Sequence, residues 1–436
     1  MSNTELAAIT LEDKVKELKG KVADLSCLIR VSSILNSTLN LSELLQHIME
    51  ISEQVMKAEA SSLMLIDEET NELVFEITRG EKGKEIKEKF RLKMGQGIAG
   101  WVALNGEPLL IPDVSKDPRF YSKPDKSTGF VTRSIACVPM RVKKKVIGIL
   151  EIINPVGKKE FDESDMQLLS AFADSASVAV ENARMVESLM KQQRVEQELS
   201  IAKQIQANFL PKRFPRVKGA GAFGRNVTAL QIGGDFYDFV RLGDSLLAVL
   251  IGDVSGKGVP AALYMVKIVT DFRSILADVQ DPARLIGALN ERLCRQSTMG
   301  MFATIIYGIF DTKAGTLTYV SAGHPAPIVI GADGRARSED GVRNPPVGVV
   351  PRCDFRQTDM RITPGERFLF YTDGVVEARN TAGEEYGTGR LMSVCEKHQG
   401  PPKNMASAVL GDIMKFSRNV PQHDDITLVA VRIGDA

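Results

Sequence analysis

Midway along the chain, Met185, Leu189, Gln192, Val195, Leu199, Ala202, Ile205 and Phe209 recur every three or four residues, a spacing that keeps them on one face of a helix. The helical pattern covers residues 166–209, and Pro211 ends it because proline has no amide hydrogen for the next turn. This stretch divides the 436 residues into two strand-rich segments, each long enough to bury its own core. Its repeat is close to that of a coiled coil, but Gln192 stands in the seam. A polar seam residue lowers stability and leaves the register able to change, which suits a signal-transmitting linker as well as a rigid spacer. A second seam lies near the amino terminus, where Leu11, Val15, Leu18, Val22, Leu25 and Ile29 follow at spacings of 4, 3, 4, 3 and 4. Either a solitary amphipathic helix or a parallel dimer seam accounts for it.

Charge is balanced at 55 basic against 55 acidic residues, so no nucleic-acid partner is predicted. The five cysteines, Cys27, Cys137, Cys294, Cys353 and Cys395, are far apart and form no CxxC or Cys/His cluster. That pattern fits a reducing cytoplasm without disulfides or structural zinc. No apolar run approaches the ~18 residues a membrane span needs, and residues 1–13 lack the basic and apolar blocks of an export signal. A cytoplasmic protein with no membrane contact is expected.

In the first segment, residues 61–66 and 73–77 read as strands of a hairpin around a polar turn at 67–71, with further strands at 134–140 and 146–153. Between them, Gly95-Gln-Gly-Ile-Ala-Gly100 has the spacing of a dinucleotide fingerprint. The residues before it, 88–93, alternate in charge instead of forming a buried first strand, so the glycines predict a tight turn into a helix at 98–103. This segment resembles the GAF sensory domains over roughly residues 24–183. The resemblance rests on Gly97-Ile-Ala-Gly-Trp101-Val, Pro112-Asp-Val, Asp117-Pro-Arg-Phe120, Ser134-Ile-Ala-Cys-Val-Pro-Met140, Val146-Ile-Gly-Ile-Leu and Phe161-Asp-Glu-Ser-Asp165. It implies an antiparallel sheet with flanking helices and a small ligand or partner protein of unknown identity. Cyclic-nucleotide-binding members carry an Asn/Lys/Phe/Asp/Glu signature; here Asn154, Lys159, Phe161 and Asp165 are matched, but Met166 stands where the last acid belongs. Cys137 reads as a small buried strand residue.

The last segment mixes strand and helix signals: a strand at 246–251, a helix beginning near Pro260, a hairpin over 301–321, and strands at 367–371 and 426–433. A layered α/β or α+β fold on antiparallel sheets follows. Four loops, Gly234-Asp235, Gly252-Asp253, Asp373-Gly374 and Asp424-Asp425, each put an aspartate at the end of an apolar, strand-like run. Buried strands would deliver these carboxylates to a sheet edge, where they repel one another unless a cation lies between them. Gly256-Lys257-Gly258 lacks the spacing and the Ser/Thr of a Walker loop and reads as a turn that positions Asp253. With only His47, His324, His398 and His423, and no Gly-x-Ser-x-Gly elbow, a serine or cysteine hydrolase is not indicated. His324, in Ala-Gly-His-Pro, reads first as part of a turn.

Together these blocks resemble the metal-dependent protein phosphatases (PPM family) in their SpoIIE-like branch, across residues 199–432. They are Glu198-Leu-x-x-Ala-x-x-Ile-Gln206 with Leu210-Pro211, Ile232-Gly-Gly-Asp-Phe-Tyr-Asp238 and Ile251-Gly-Asp-Val-Ser-Gly-Lys-Gly-Val-Pro-Ala-Ala262, followed by Ser321-Ala-Gly-His-Pro325, Pro346-Val-Gly-Val349, Tyr371-Thr-Asp-Gly-Val-Val-Glu377 and Asp424-Asp-Ile-Thr427. The resemblance implies an αββα sandwich holding two Mn2+ or Mg2+ ions. By it, Asp253 bridges the ions, the Val254 carbonyl completes one shell, Asp235 serves one ion, and Asp373 and Asp424 serve the other, with Asp238 and Asp425 as second-choice ligands or as acids standing behind the ligands. Two such ions acidify a water, aim it at phosphorus and neutralise the phosphoryl oxygens, so no covalent phosphoenzyme is needed. Ser255 stands where the wider family has a histidine that protonates the leaving alcohol.

The expected chain is a multidomain α+β protein: an amino-terminal helix, possibly coiled coil, at 1–23, a GAF-like domain at 24–184, a helical coiled-coil linker at 185–213 and a phosphatase domain at 214–436. The resemblance implies a homodimeric phosphoserine/phosphothreonine phosphatase whose substrate is a phosphorylated anti-anti-sigma protein of the STAS fold. The competing expectation is a catalytically silent sensor or scaffold that only binds partner proteins.

Overall fold

The computed structural model describes residues 41–80, 86–87, 89–295 and 300–434. The seam from Leu11 to Ile29, and Cys27 with it, lies outside the described residues. The chain divides into two compact units, with the boundary between Gln193 and Arg194.

The first unit begins with α1 (Leu41–Met56), β1 (Ala58–Asp67), β2 (Glu72–Arg79), β3 (Arg91–Lys93), α2 (Gly97–Asn105) and β4 (Leu109–Ile111). It continues through α3 (Lys123–Thr128), β5 (Ile135–Val142), β6 (Lys145–Pro155) and the first part of α4 (Glu163–Gln206), a single 44-residue helix whose residues from Arg194 belong to the second unit. The six strands form one antiparallel sheet in the order β3-β2-β1-β6-β5-β4. Alternation along the strands sends Leu63, Val138, Leu150 and Ile152 to one face, where α1 and the start of α4 bury them with Leu45, Ile48, Leu169 and Phe172. Met64, Phe75, Ile135, Cys137 and Ile149 line the other face under α2. The glycine-rich stretch is a turn into α2, as its spacing predicts. Gly95 and Gly97 have φ of 82° and 72°, and a Cβ on Gly100 would lie 2.6 Å from the Lys93 carbonyl.

Asn154 is buried with φ 57°, and its side chain accepts from the Arg133 and Ser134 amides and donates to the Val131 carbonyl and Glu59. Asp165 accepts from the Asp162 amide and pairs with Lys158. Two of the matched nucleotide-signature residues are thus engaged in holding their own loops.

The second unit contains β7 (Ala220–Val227), β8 (Phe236–Arg241), β9 (Leu246–Val254), α5 (Val259–Leu276), α6 (Pro282–Arg295), β10 (Ala303–Asp311) and β11 (Thr316–Ala322). After these come β12 (Ile328–Ile330), β13 (Ala336–Ser338), β14 (Arg343–Asn344), β15 (Thr358–Arg361), β16 (Arg367–Tyr371), α7 (Asp373–Val376), α8 (Gly387–Lys397), α9 (Pro402–Phe416) and β17 (Ile426–Ile433). One sheet runs β14-β11-β10-β9-β8 and the other β13-β12-β16-β17-β7. Leu247, Val249, Ile251, Ile306 and Phe310 from the first face Phe368, Phe370, Val429 and Val431 from the second. Phe310 and Phe368 meet edge to face at 5.1 Å, and each fully buried ring contributes roughly 1.5–3 kcal/mol. The outer face of the first sheet packs on α5 and α6 through Ala248, Leu250, Met265, Ile268 and Leu289, and that of the second on α8 and α9 through Leu369, Leu428, Leu391 and Val409. The result is the layered α+β sandwich, helices outside and two sheets inside.

Candidate metal centre

Two of the four aspartates stand at the starts of strands, which corrects the expectation that each ends an apolar run. Asp253 is the penultimate residue of β9, and Asp373 follows β16 by two residues, whereas Asp235 directly precedes β8 and Asp424 precedes β17 by two. Antiparallel pairing explains why all four still share one region. Phe236 pairs with Gly252 and Tyr371 with Leu428, so the start of one strand lies beside the end of its neighbour. Each sheet therefore supplies two carboxylates.

The two pairs are tied together across the sandwich. Asp235 is 3% exposed, and its Oδ2 accepts the Thr372 hydroxyl at 2.7 Å and the Thr427 hydroxyl at 2.6 Å, both from the opposite sheet. Burial, and after it the charge of Asp253, hold Asp235 well above the ordinary carboxylate range. Asp253 is pushed up to about 7 by burial and then by Asp373, against a hydrogen bond with Asp235 that works the other way. Asp373 is raised by burial and by Asp424. Asp424 accepts the Asp425 amide at 2.9 Å and lies 3.0 Å from the Lys257 ammonium, which also donates to the His423 carbonyl at 2.6 Å. The clustered negative charge thus raises Asp235, Asp253 and Asp373, and the Lys257 ammonium rests on Asp424.

Asp425 and Asp238 are engaged elsewhere. Asp425 spends its carboxylate on backbone, accepting from Ala229 at 2.8 Å through Oδ1 and from Gly234 at 2.8 Å through Oδ2. A Cβ on Gly233 would lie 2.0 Å from that Oδ2 and one on Gly374 2.1 Å from the Asp425 carbonyl, so the approach of these loops requires glycine. Asp238 is paired with Arg273 of α5 at 2.7 Å. Strand alternation puts it on the helix-covered face with Phe236, away from the space between the sheets. His324 bonds Thr304, the residue opposite Asp253 in the ladder, at 2.9 Å; burial pulls its imidazole down to about 3, so it is neutral. The Ser255 hydroxyl accepts the Phe302 amide.

Among the described residues, no group of three His, Cys, Asp or Glu side chains is arranged to hold a metal ion. The donor types nevertheless fit a hard divalent cation: carboxylate oxygens that raise one another's proton affinity, with the Val254 carbonyl turned toward Gly234, 3.0 Å from where its Cβ would stand. Thr372, Thr427, Gln206 and Lys257 were not assigned roles from sequence, although all four lie inside the quoted motifs. The signal available was a threonine or lysine repeatedly placed beside an aspartate loop.

Residues 243–434 match the family model of stage II sporulation protein E (SpoIIE), and residues 40–180 match that of the GAF domain. Asp253, Asp373 and Asp424 fall inside the first match; Asp235 precedes it. Protein IcfG of Synechocystis sp. is 30% identical over 264 residues, 54% of this chain and 41% of that one. Phosphoserine phosphatase RsbU of Bacillus subtilis is 27% identical over 242 residues, 55% of this chain and 71% of that one. Among solved structures, the SiaA-PP2C domain of Pseudomonas aeruginosa matches 56% of this chain and 98% of its own length, at 22% identity and a TM-score of 0.48. The chain carries a SpoIIE-like fold of the metal-dependent phosphatase type behind an amino-terminal GAF domain.

Proposed function

We propose that this chain is a metal-dependent phosphoserine/phosphothreonine protein phosphatase under the control of its GAF unit. The observation that carries the reading is the meeting of Asp235 and Asp253 from one sheet with Asp373 and Asp424 from the other, tied by the Thr372 and Thr427 hydroxyls on Asp235, with the charge of Asp373 raising Asp253 across the sandwich. Asp235, Asp253, Asp373, Asp424 and the Val254 carbonyl would hold two Mn2+ or Mg2+ ions. Bound ions supply positive charge for the phosphoryl oxygens and acidify water. The protein's own part is orientation. Thr372 and Thr427 fix one oxygen of Asp235, Asp425 fixes the backbone before it, and the flanking strands hold Asp253 at the edge of its sheet.

The name of RsbU, a phosphoserine phosphatase, supports the reaction class, and a phosphorylated STAS-fold anti-anti-sigma protein is the substrate we assign by that likeness. A homodimer is part of the same reading. Met185, Leu189, Val195 and Ile205 on α4 are 49–56% exposed, and a second copy of the helix would cover them. The GAF unit supplies the sensory input, with a ligand pocket between its sheet and α2 lined by Phe75, Phe120, Tyr121 and Glu151.

Phosphate release from a phosphoserine protein, with Mn2+ and with chelator, tests the claim in the full chain. Turnover that needs Mn2+ and disappears in Asp253→Asn is expected. Absent or chelator-resistant turnover would leave the silent sensor or scaffold as the better account.

A further inference from the structure

The segment that carries Asp235 into the centre lies between β7 and β8 and, among the described residues, has no strand partner. Asp425 holds it through Ala229 and Gly234. A second side chain holds it from the other direction: Gln206, the last residue of α4. Its Nε2 donates to the Gly233 carbonyl at 2.7 Å, and the Gly233 amide donates back to its Oε1 at 3.3 Å. Gln206 is 8% exposed, whereas its neighbour Ile205 is 56% exposed, so the amide is the one group of this turn given over to the loop. A further tie follows the helix, where Arg273 donates to the Phe209 carbonyl at 2.9 Å and to the carboxylate of Asp238 in β8. The end of α4 is thereby fastened to both sides of Asp235, two residues before it and three after.

We propose that Gln206 is a positioning residue for Asp235, through which the last turn of α4 sets the affinity of the centre for divalent cations. The inference rests on the cation site proposed above. A side-chain amide that donates to the carbonyl and accepts from the amide of one residue restrains the two peptide groups that flank it. Without it Gly233 is held only from the Asp425 side, through the Gly234 amide, and glycine restricts its own backbone least. One residue of rotation in a helix is about 100°. Such a rotation, or a change of register in the seam above it, would carry Gln206 off Gly233 and take this partner from the Gly233 carbonyl and amide. The coupling is therefore directional: what moves the last turn moves Asp235 first, while Asp253 stays held in its ladder.

The test is Mn2+ titration calorimetry on the full chain with Gln206→Leu, which keeps the volume and removes the amide, and Gln206→Glu, which keeps the acceptor and loses the donor. Hydrogen exchange over residues 228–236 and a thermal melt accompany each variant. Mn2+ affinity is expected to fall about tenfold in Gln206→Leu and less in Gln206→Glu, with faster exchange at 228–236 in protein that is still folded at the titration temperature. Affinity within twofold of wild type together with unchanged exchange would overturn the proposal; a lowered melt alone would mark Gln206 as merely structural and overturn it too. If Gln206→Leu does not fold, Gln206→Glu carries the same two readouts. Asp253→Asn in the same titration separates the two claims. Should it bind Mn2+ like wild type, the cation site fails, and unchanged exchange at 228–236 in the Gln206 variants would then sink the clamp independently.

Discussion

Each unit buries acids, and the two do it differently. In the GAF unit, Glu151 on β6 faces a cavity with Phe75, Phe120, Tyr121 and Asp125, and accepts a hydrogen bond from Ser62 at 3.1 Å. Burial is the largest cause of its rise to about 7, ahead of the Ser62 hydrogen bond that opposes it and the charge of Asp125 that adds to it. In the sandwich, burial is joined by like charge: Asp235, Asp253 and Asp373 each have a neighbouring aspartate among the two largest causes of their shift. A carboxyl raised mainly by burial is satisfied by a proton, whereas a group that raises one another by charge also suits a multivalent cation. The first arrangement suits a pocket for a ligand, the second a site for ions.

The largest effect that could break this contrast is at Asp253. Asn in its place is expected to lower Mn2+-dependent phosphate release on the order of a thousandfold, the scale of several kcal/mol of lost charge stabilisation. A variant with most of its rate would mean that the aspartates are neighbours without a shared task. Next comes Glu151→Gln. Because the folded-state pKa of Glu151 lies above its ordinary 4.5, its burial costs nothing below pH 4.5, and stability is lost as pH rises toward about 7. Urea unfolding at pH 8 should find Glu151→Gln more stable than wild type by on the order of 3 kcal/mol, a margin that vanishes near pH 4. An equal margin at both pH values would show that burial does not raise this carboxyl.

Smaller is Thr372→Val, which removes one of the two hydroxyls from Asp235 Oδ2. It should cut Mn2+-dependent turnover about tenfold while leaving the GAF unit's melting unchanged. Full activity would mean that Thr427 suffices. The smallest change is expected at Lys257, whose ammonium rests on Asp424 but is 41% exposed and hence screened. Lys257→Gln should tighten Mn2+ binding by no more than about fivefold, since a competitor for that carboxylate is gone. Weaker binding would instead give the lysine a supporting part in the site.

Much of the sandwich was legible because its strands are apolar and regular. The pattern at 426–433 coincides with β17, and the hairpin over 301–321 with β10 and β11. Pro260 falls in the first turn of α5, as its fixed φ favours. The ends of elements at the site were harder to read. Nothing apolar precedes Asp424 in Gln422-His423, so no local pattern distinguishes a carboxylate at a strand start from one at a strand end. The separate duties of Asp424 and Asp425 depend on contacts with Lys257 and with Ala229 and Gly234, far away in sequence. Asp238 could have been set aside from period-two alternation with Phe236 alone. Gln206 could not, because periodicity finds the helix and is silent about a hydrogen bond to a loop 27 residues on.

The central claim is that carboxylates from two sheets make one cation centre. Anomalous scattering from crystals grown with saturating Mn2+ tests it most directly. Peaks bounded by Asp235, Asp253, Asp373 and Asp424, with the Lys257 ammonium displaced from Asp424, are the predicted result. Peaks at other carboxylates, or none between these four, would contradict it.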